Sequence, residues 1–196
     1  SSAASDVYKR QRLSSERDRA IIASSANSRV QLSNGTTVDS GSGVALDVNA
    51  GSQIDLTADN QVVINGDLRA TAADSVNVTL SQLSTLTGAA QNISSLTLDN
   101  SSWNLSANSS VGALQQNGQV NFVAHPGAFS TLTLDSLSGN GSFAMNTDIA
   151  ALRGDLLDIH GTAAGDHQLS INDSGAEPAN SEGVLPVVLT LSLIHI

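Results

Sequence analysis

The residues best equipped for chemistry in this 196-residue chain are few and scattered. Arg153-Gly154-Asp155 is an Arg-Gly-Asp tripeptide, which on a mobile loop offers a cation and a carboxylate to an integrin-type receptor. The flanking Leu152 and Leu156 point instead to the start of a strand. His125, His160 and His167 stand outside any metal-ligand spacing, and no acidic pair converges with them in a motif. Asp47, Asp55, Asp59, Asp67 and Asp74 recur at uneven intervals. On one face they could offer oxygen ligands to Ca²⁺, but no Gly-Gly-x-Gly-x-Asp repeat accompanies them, so a solvated acidic face is the reading. Serine is abundant, yet no Gly-x-Ser-x-Gly elbow occurs, and Cys is absent. We therefore assign no catalytic, cofactor-binding or metal-binding residues and expect a protein that is not an enzyme and needs no cofactor.

The two ends bear on this inventory. One codon choice for Asp6 to Gln11 (DVYKRQ) is, on the opposite DNA strand, a codon choice for Leu191 to Ile196 (LSLIHI). Such complementarity is the signature of a sequencing adapter read inward from both sides. Residues 1–11 and 191–196 are accordingly expected to be adapter-derived. The interior, 12–190, then contains no Lys and has 6 Arg against 17 acids, a charge of −11. A surface so poor in cations excludes phosphate neutralisation and hence nucleic acid as a partner. It also keeps a repetitive β surface from adhering to itself.

The elements that must position these residues are short strands. Ser, Thr and Asn supply 55 of the 179 interior residues, types that favour turns and strand surfaces over helix. Apolar residues recur at a spacing of two, as in Val44/Leu46/Val48, Ile54/Leu56, Val76/Val78/Leu80, Leu96/Leu98 and Leu132/Leu134. Asn34-Gly35, Asn65-Gly66, Asn117-Gly118 and Asn140-Gly141 punctuate the runs. Sandwiches and barrels share such patterns. The short, numerous strands and the scarcity of large side chains favour an all-β, right-handed parallel β-helix, a solenoid with a narrow aliphatic lumen. Coils of about 20 residues between Ala20 and Asn146 give about six rungs in a stack about 30 Å long. The aromatics gather late: Trp103, Phe122, Phe129 and Phe143. Together with Leu132, Leu134, Leu156 and Leu157 they are the expected folding-nucleus core. Each large side chain contributes roughly 1.5–3 kcal/mol when fully buried. Leu152, Ile159, Leu169 and Ile171 are read as core as well. Ser174–Gly183, with Pro178, reads as a polar loop within a β-hairpin that caps the solenoid and ends at Val184–Leu189.

From Leu96 the sequence resembles a family. Three stretches carry the resemblance in order: LTLDNSSWNLSANSSVGALQQNGQVNFV (Leu96 to Val123), FSTLTLDSLSGNGSFAMNTD (Phe129 to Asp148) and GDLLDIHGTAAGDHQLSINDSGAEP (Gly154 to Pro178). They are similar to the C-terminal passenger of pertactin-like and AIDA-like autotransporters of Gram-negative type V secretion. The resemblance implies β-helix rungs over 12–110 and an autochaperone-like C-terminal cap over 111–190, which promotes folding and secretion of a surface adhesin or virulence factor. It implies a passenger on the bacterial surface, tethered to or released from the outer membrane. It further implies a partner, the protein's own outer-membrane β-barrel translocator. A host-cell surface or self-association are the further partners open to the passenger, and the chain itself is expected to be a monomer. The alternatives from the residues alone are a polysaccharide-degrading β-helix enzyme, which needs clustered carboxylates beside a basic side chain, and a trimeric phage tail-spike-like solenoid.

Overall fold

A computed structural model of the chain describes residues 11–24, 27–175, 177 and 183–195. All its regular structure is strand. In chain order the strands are β1 (Arg12–Ser15), β2 (Ile21–Ser24), β3 (Asn27–Ser33), β4 (Thr37–Asn49), β5 (Gln53–Asp59), β6 (Val63–Arg69), β7 (Ser75–Ser81), β8 (Thr85–Thr87) and β9 (Ala90–Gln91). They continue as β10 (Ile93–Leu105), β11 (Ser109–Phe122), β12 (Thr131–Gly139), β13 (Ser142–Asp148), β14 (Arg153–Gly154), β15 (Leu156–Ala164), β16 (Gln168–Asp173) and β17 (Val188–His195). Every long-range ladder is parallel, and the chain winds as a β-solenoid of about 7 turns. The single antiparallel ladder joins β13 to the two-residue β14.

The ladders sort into three faces, because β4, β10 and β11 bend at corners and serve more than one. Alternation of side chains along each strand puts every second residue inside, and parallel register stacks like on like. One face carries the column Leu13, Val38, Ile64, Leu86, Trp103, Val120, Phe143, Leu169. A second face carries Val30, Leu56, Val78, Leu96, Leu114, Leu137, Ala163. The third stacks Ile21, Leu46, Leu68 and Ala90, and further along Leu132, Leu157 and Val188. Away from the two ends these side chains are buried, and together they form one continuous core.

The corner leading from the second face back to the first is built from amides. Asn34, Asn60, Gln82 and Asn100 occupy it with φ of 55°, 61°, 49° and 46°. Asn is among the few non-glycine residues that adopt this left-handed region readily, because its short amide bonds locally. Successive coils are tied there by side chains. Asn60 Nδ2 donates to Asn34 Oδ1, Asn140 N donates to Asn117 Oδ1, and Asp166 N donates to Asn140 Oδ1. Outward rows on the flat faces are laddered likewise: Asn77 Nδ2 donates to Asp55 Oδ1 and Ser95 Oγ donates to Asn77 Oδ1.

Two expectations need correction. The C-terminal cap is not a hairpin: β16 pairs parallel with β13 and β17 parallel with β15, so the solenoid continues winding. The loop proposed to join the two strands lies partly outside the described residues. Leu152, Leu169 and Ile171 are exposed rather than core. Leu169 and Ile171 sit on β16, the last coil of the first face, where no further coil among the described residues covers them. Leu152 sits in a tight turn with φ 51°.

Candidate functional site

The richest convergence of polar and aromatic side chains lies in the C-terminal coils, around Asp155. Its carboxylate is buried, 1% exposed, and accepts three hydrogen bonds. Ser130 N donates to Oδ1 at 2.8 Å, while Asn146 N and Asn146 Nδ2 both donate to Oδ2 at 2.8 Å. Asn146 Nδ2 also donates to Phe122 O of the previous coil. One carboxylate thus joins the entry to β12, the end of β13 and the entry to β15. An isolated buried carboxylate is costly, and N–H donors are what make it tolerable. Arg153 is exposed, with its guanidinium 5.9 Å from the Phe129 ring centroid. The Arg-Gly-Asp tripeptide therefore presents its cation to solvent and its carboxylate to the protein.

Asp74 is a second clamp of the same design. It accepts Ser52 N at 2.7 Å, Thr71 N at 2.8 Å and Thr71 Oγ1 at 2.7 Å. Burial pushes its carboxyl pKa up, but the bonds from Thr71, Ser52 and Gly51 outweigh burial and hold it below the usual carboxylate value. Asp173 is lowered by backbone N–H bonds from Gly175 and Ile149, helped by Thr147 and Ser174.

The expected nucleus is placed unevenly. Trp103, Phe122, Leu132, Leu134, Phe143 and Leu157 are buried. Phe129 and Leu156 are half-buried at the rim, Phe129 because it precedes β12 in a loop, Leu156 because it alternates outward beside Asp155 and Leu157. Trp103 Nε1 donates to Gly88 O at 2.9 Å, so the indole is satisfied within the core. His167 packs edge-on to Phe143 with centroids 5.7 Å apart and lines an apolar cavity of about 160 Å³ with Leu137, Leu157 and Leu169. Burial pushes its imidazole pKa down, against the opposing pull of the Ala164 carbonyl and Asp166. His125 bonds Ser106 O and His160 bonds Asp158, far from a shared centre. The five aspartates of the acidic series do not share a face. Asp55 and Asp59 point outward from β5, Asp47 and Asp67 pair with Arg19 and Arg69, and Asp74 is buried. Among the described residues no three His, Cys, Asp or Glu are grouped to hold a metal.

Sequence reasoning missed Gln116. It continues the aliphatic row Leu80–Leu98 on the second face and is fully buried. Its Nε2 donates to Gly118 O at 3.0 Å and Ser142 O at 2.9 Å, bridging two coils, and a Cβ at Gly141 would fall inside its carboxamide. The signal was present in a Gln on an apolar parity followed one coil later by Gly141. The Asp clamps carried a similar signal in a lone Asp immediately before a strand.

Parallel coils stacked about a continuous aliphatic core, with aromatic-weighted late coils, define a class by fold, the β-solenoid. Residues 111–192 match the family model for pertactin. The chain is 37% identical over 116 residues to the pertactin autotransporter of Bordetella bronchiseptica, covering 57% of this chain and 13% of that protein. It is 44% identical over 96 residues to the autotransporter adhesin/invasin TibA of Escherichia coli O78:H11, 45% of this chain and 10% of TibA. It is 36% identical over 90 residues to an immunoglobulin A1 protease autotransporter of Haemophilus influenzae, 43% of this chain and 6% of that protein. The chain thus spans a small part of the relatives it matches. It carries a pertactin-like autotransporter passenger region, whose place is the surface of a Gram-negative bacterium or, once released, the medium around it.

Proposed function

We propose that residues 111–190 promote folding and secretion of the passenger by forming the stable end from which the coils of 12–110 are templated. The observation that carries this reading is where the large side chains are buried. Phe122 and Phe143 are buried within 111–190, Phe143 in a first-face column that holds only aliphatic residues up to Leu86, and Trp103, fully buried in that column two coils before Phe143, is the large side chain of 12–110 that stacks onto this end. The buried Asp155 and Gln116 bridges tie the same coils together. In a solenoid each coil is stabilised by its neighbours, so a firm end lowers the barrier to ordering the next coil. The names of the relatives support a role independent of any one activity: stretches of this chain align with a protein named for adhesion and with one named for a protease.

On this reading the segment is not an enzyme and takes no cofactor. Its obligate partner is the outer-membrane translocator that autotransporter relatives imply for the full protein. Deleting residues 111–190 and following denaturant unfolding and refolding of 12–110 tests the proposal. The remainder should lose stability and refold more slowly; unchanged midpoint and rate would overturn it.

A further inference from the structure

One inward column loses its bulk near the C-terminal end. On the second face it runs Leu56, Val78, Leu96, Leu114, Leu137, and its next member is Ala163. Ala164 and Gly165 follow, and a Cβ at Gly165 would strike the Gly139 carbonyl, so the chain cannot supply the missing volume there. Coil spacing is set by the backbone ladders, so the step from leucine to alanine is not recovered by collapse. A cavity of about 160 Å³ results, lined among others by Leu137, Phe143, Leu157, Ile159 and Leu169. Leu169 is 45% exposed, so the cavity meets solvent beside β16.

The lining is almost entirely carbon. Its polar side chains are His167, whose Nε2 bonds the Ala164 carbonyl, and Thr190. An apolar cavity of about 150 Å³ lined by Leu, Ile and Phe excludes water and admits a benzene-sized guest, about six carbon atoms. The rim restricts what those carbons can be attached to. Asp158 stands between the lining residues Leu157 and Ile159, Asp166 precedes His167, and no Lys or Arg occurs from Gly154 to Ile196. An anionic head group at this rim is repelled, whereas an uncharged or cationic one is not.

We propose that this cavity is a binding site for the alkyl end of a single-chain amphiphile whose head is not anionic. The chain end enters past Leu169 and packs on Phe143 and Leu157, while the head stays in water at the rim. The site does not rest on the folding role proposed above.

The folded full chain is titrated with three probes of one tail length, hexylammonium, 1-hexanol and hexanoate, below their aggregation concentrations, and followed by methyl NMR. Saturable shifts confined to Leu137, Leu157, Ile159 and Leu169 are expected. Hexylammonium should bind most tightly and hexanoate least, with the spread narrowing at high salt. Ala163→Leu restores the side chain that the column carries at Leu137, and it should abolish the shifts while keeping or raising the melting temperature. Ala163→Val adds less bulk and should weaken binding, which keeps the test open if leucine overpacks the site. No saturable binding to the parent chain, or unchanged binding in a folded Ala163 variant, overturns the site. Hexanoate binding as tightly as hexylammonium at low salt overturns the head-group assignment.

Discussion

The first four coils and the last four solve the same geometric problem with different materials. In the N-terminal coils the lumen is aliphatic, and corners are turned by non-glycine residues in the left-handed region, including Ala50, Gln61 and Leu83 with φ of 62°, 62° and 64°. Their surface is stitched by Arg–Asp pairs: Arg12 with Asp39, Arg19 with Asp47, Arg29 with Asp55 and Arg69 with Asp67. Such exposed pairs contribute about 0–1 kcal/mol each and weaken with salt. In the C-terminal coils the lumen holds aromatics, and close glycine corners, which also occur at Gly41, Gly66 and Gly88 in the N-terminal coils, recur over 111–190 with a single left-handed non-glycine turn at Leu152 among the described residues. A Cβ at Gly139 would strike the Gln116 carbonyl, and one at Gly165 the Gly139 carbonyl. The Asp155 clamp, matched by Asp74 in the N-terminal coils, is joined here by the buried Gln116 carboxamide bridge, and among the described residues the Arg–Asp pairs stay in the N-terminal coils. Left-handed Gln or Leu carries strain that a glycine corner avoids. The two halves should therefore respond differently to mutation, acid and salt.

The largest expected contrast is in the shared column of the first face. Phe143→Ala leaves a large cavity and should destabilise the C-terminal coils by about 3–5 kcal/mol, whereas Ile64→Val should cost about 0.5–1.5 kcal/mol. Hydrogen exchange resolved by coil is the measurement. If templating runs from the C-terminal end, Phe143→Ala also lowers protection over 37–65, while Ile64→Val leaves 120–160 untouched. Equal and purely local effects would remove the asymmetry.

A smaller contrast lies within the Arg-Gly-Asp tripeptide. Asp155→Ala strands Ser130 N and Asn146 N, while Asn146 Nδ2 keeps its bond to Phe122 O, and should cost about 1–3 kcal/mol, the desolvation of unpaired buried groups. Arg153→Ala removes an exposed cation stacked on half-buried Phe129 and should change stability by no more than about 0.5–1 kcal/mol. Cell attachment should be the same for the parent and Arg153→Ala, because the carboxylate an integrin needs is already occupied. A loss of attachment without a loss of stability would restore the receptor reading.

How much of this was legible beforehand follows from which features obey short-range rules. The inward rows, such as Val76/Val78/Leu80, were readable because parity along a strand is local. So was the weight of Trp103 and Phe143. Register is not local: nothing in the neighbourhood of Gln116 announces that Ser142, 26 residues later, lies directly beside it. Coil lengths vary, with Trp103 stacking on Leu86 and on Val120 but Phe143 on Leu169, so partners cannot be counted off at a fixed period. The hairpin expectation failed for the same reason, since a polar loop between two apolar runs is compatible with either a reversal or another full turn. The Asp155 clamp was hidden because an Asp beside Gly reads as a turn whether its carboxylate faces water or three N–H groups.

Acid should separate the halves most finely. His167 has a folded pKa below the ordinary imidazole value because burial disfavours its charged form. The unfolded chain therefore binds the proton first as pH falls, so the contribution of neutral His167 is complete above the ordinary imidazole range and declines below it. Asp39 in the N-terminal coils is shifted by its bond from Asn65, and by Arg12, in the direction typical of a paired carboxylate. Its contribution is complete above the ordinary carboxylate range and declines only below it. On mild acidification the β16 coil should thus lose exchange protection while β4 and β6 keep theirs, and His167→Gln should abolish that first step without moving the second. Simultaneous loss of protection in both halves at a single pH would mean that the solenoid opens as one unit, and that the difference in materials has no thermodynamic consequence.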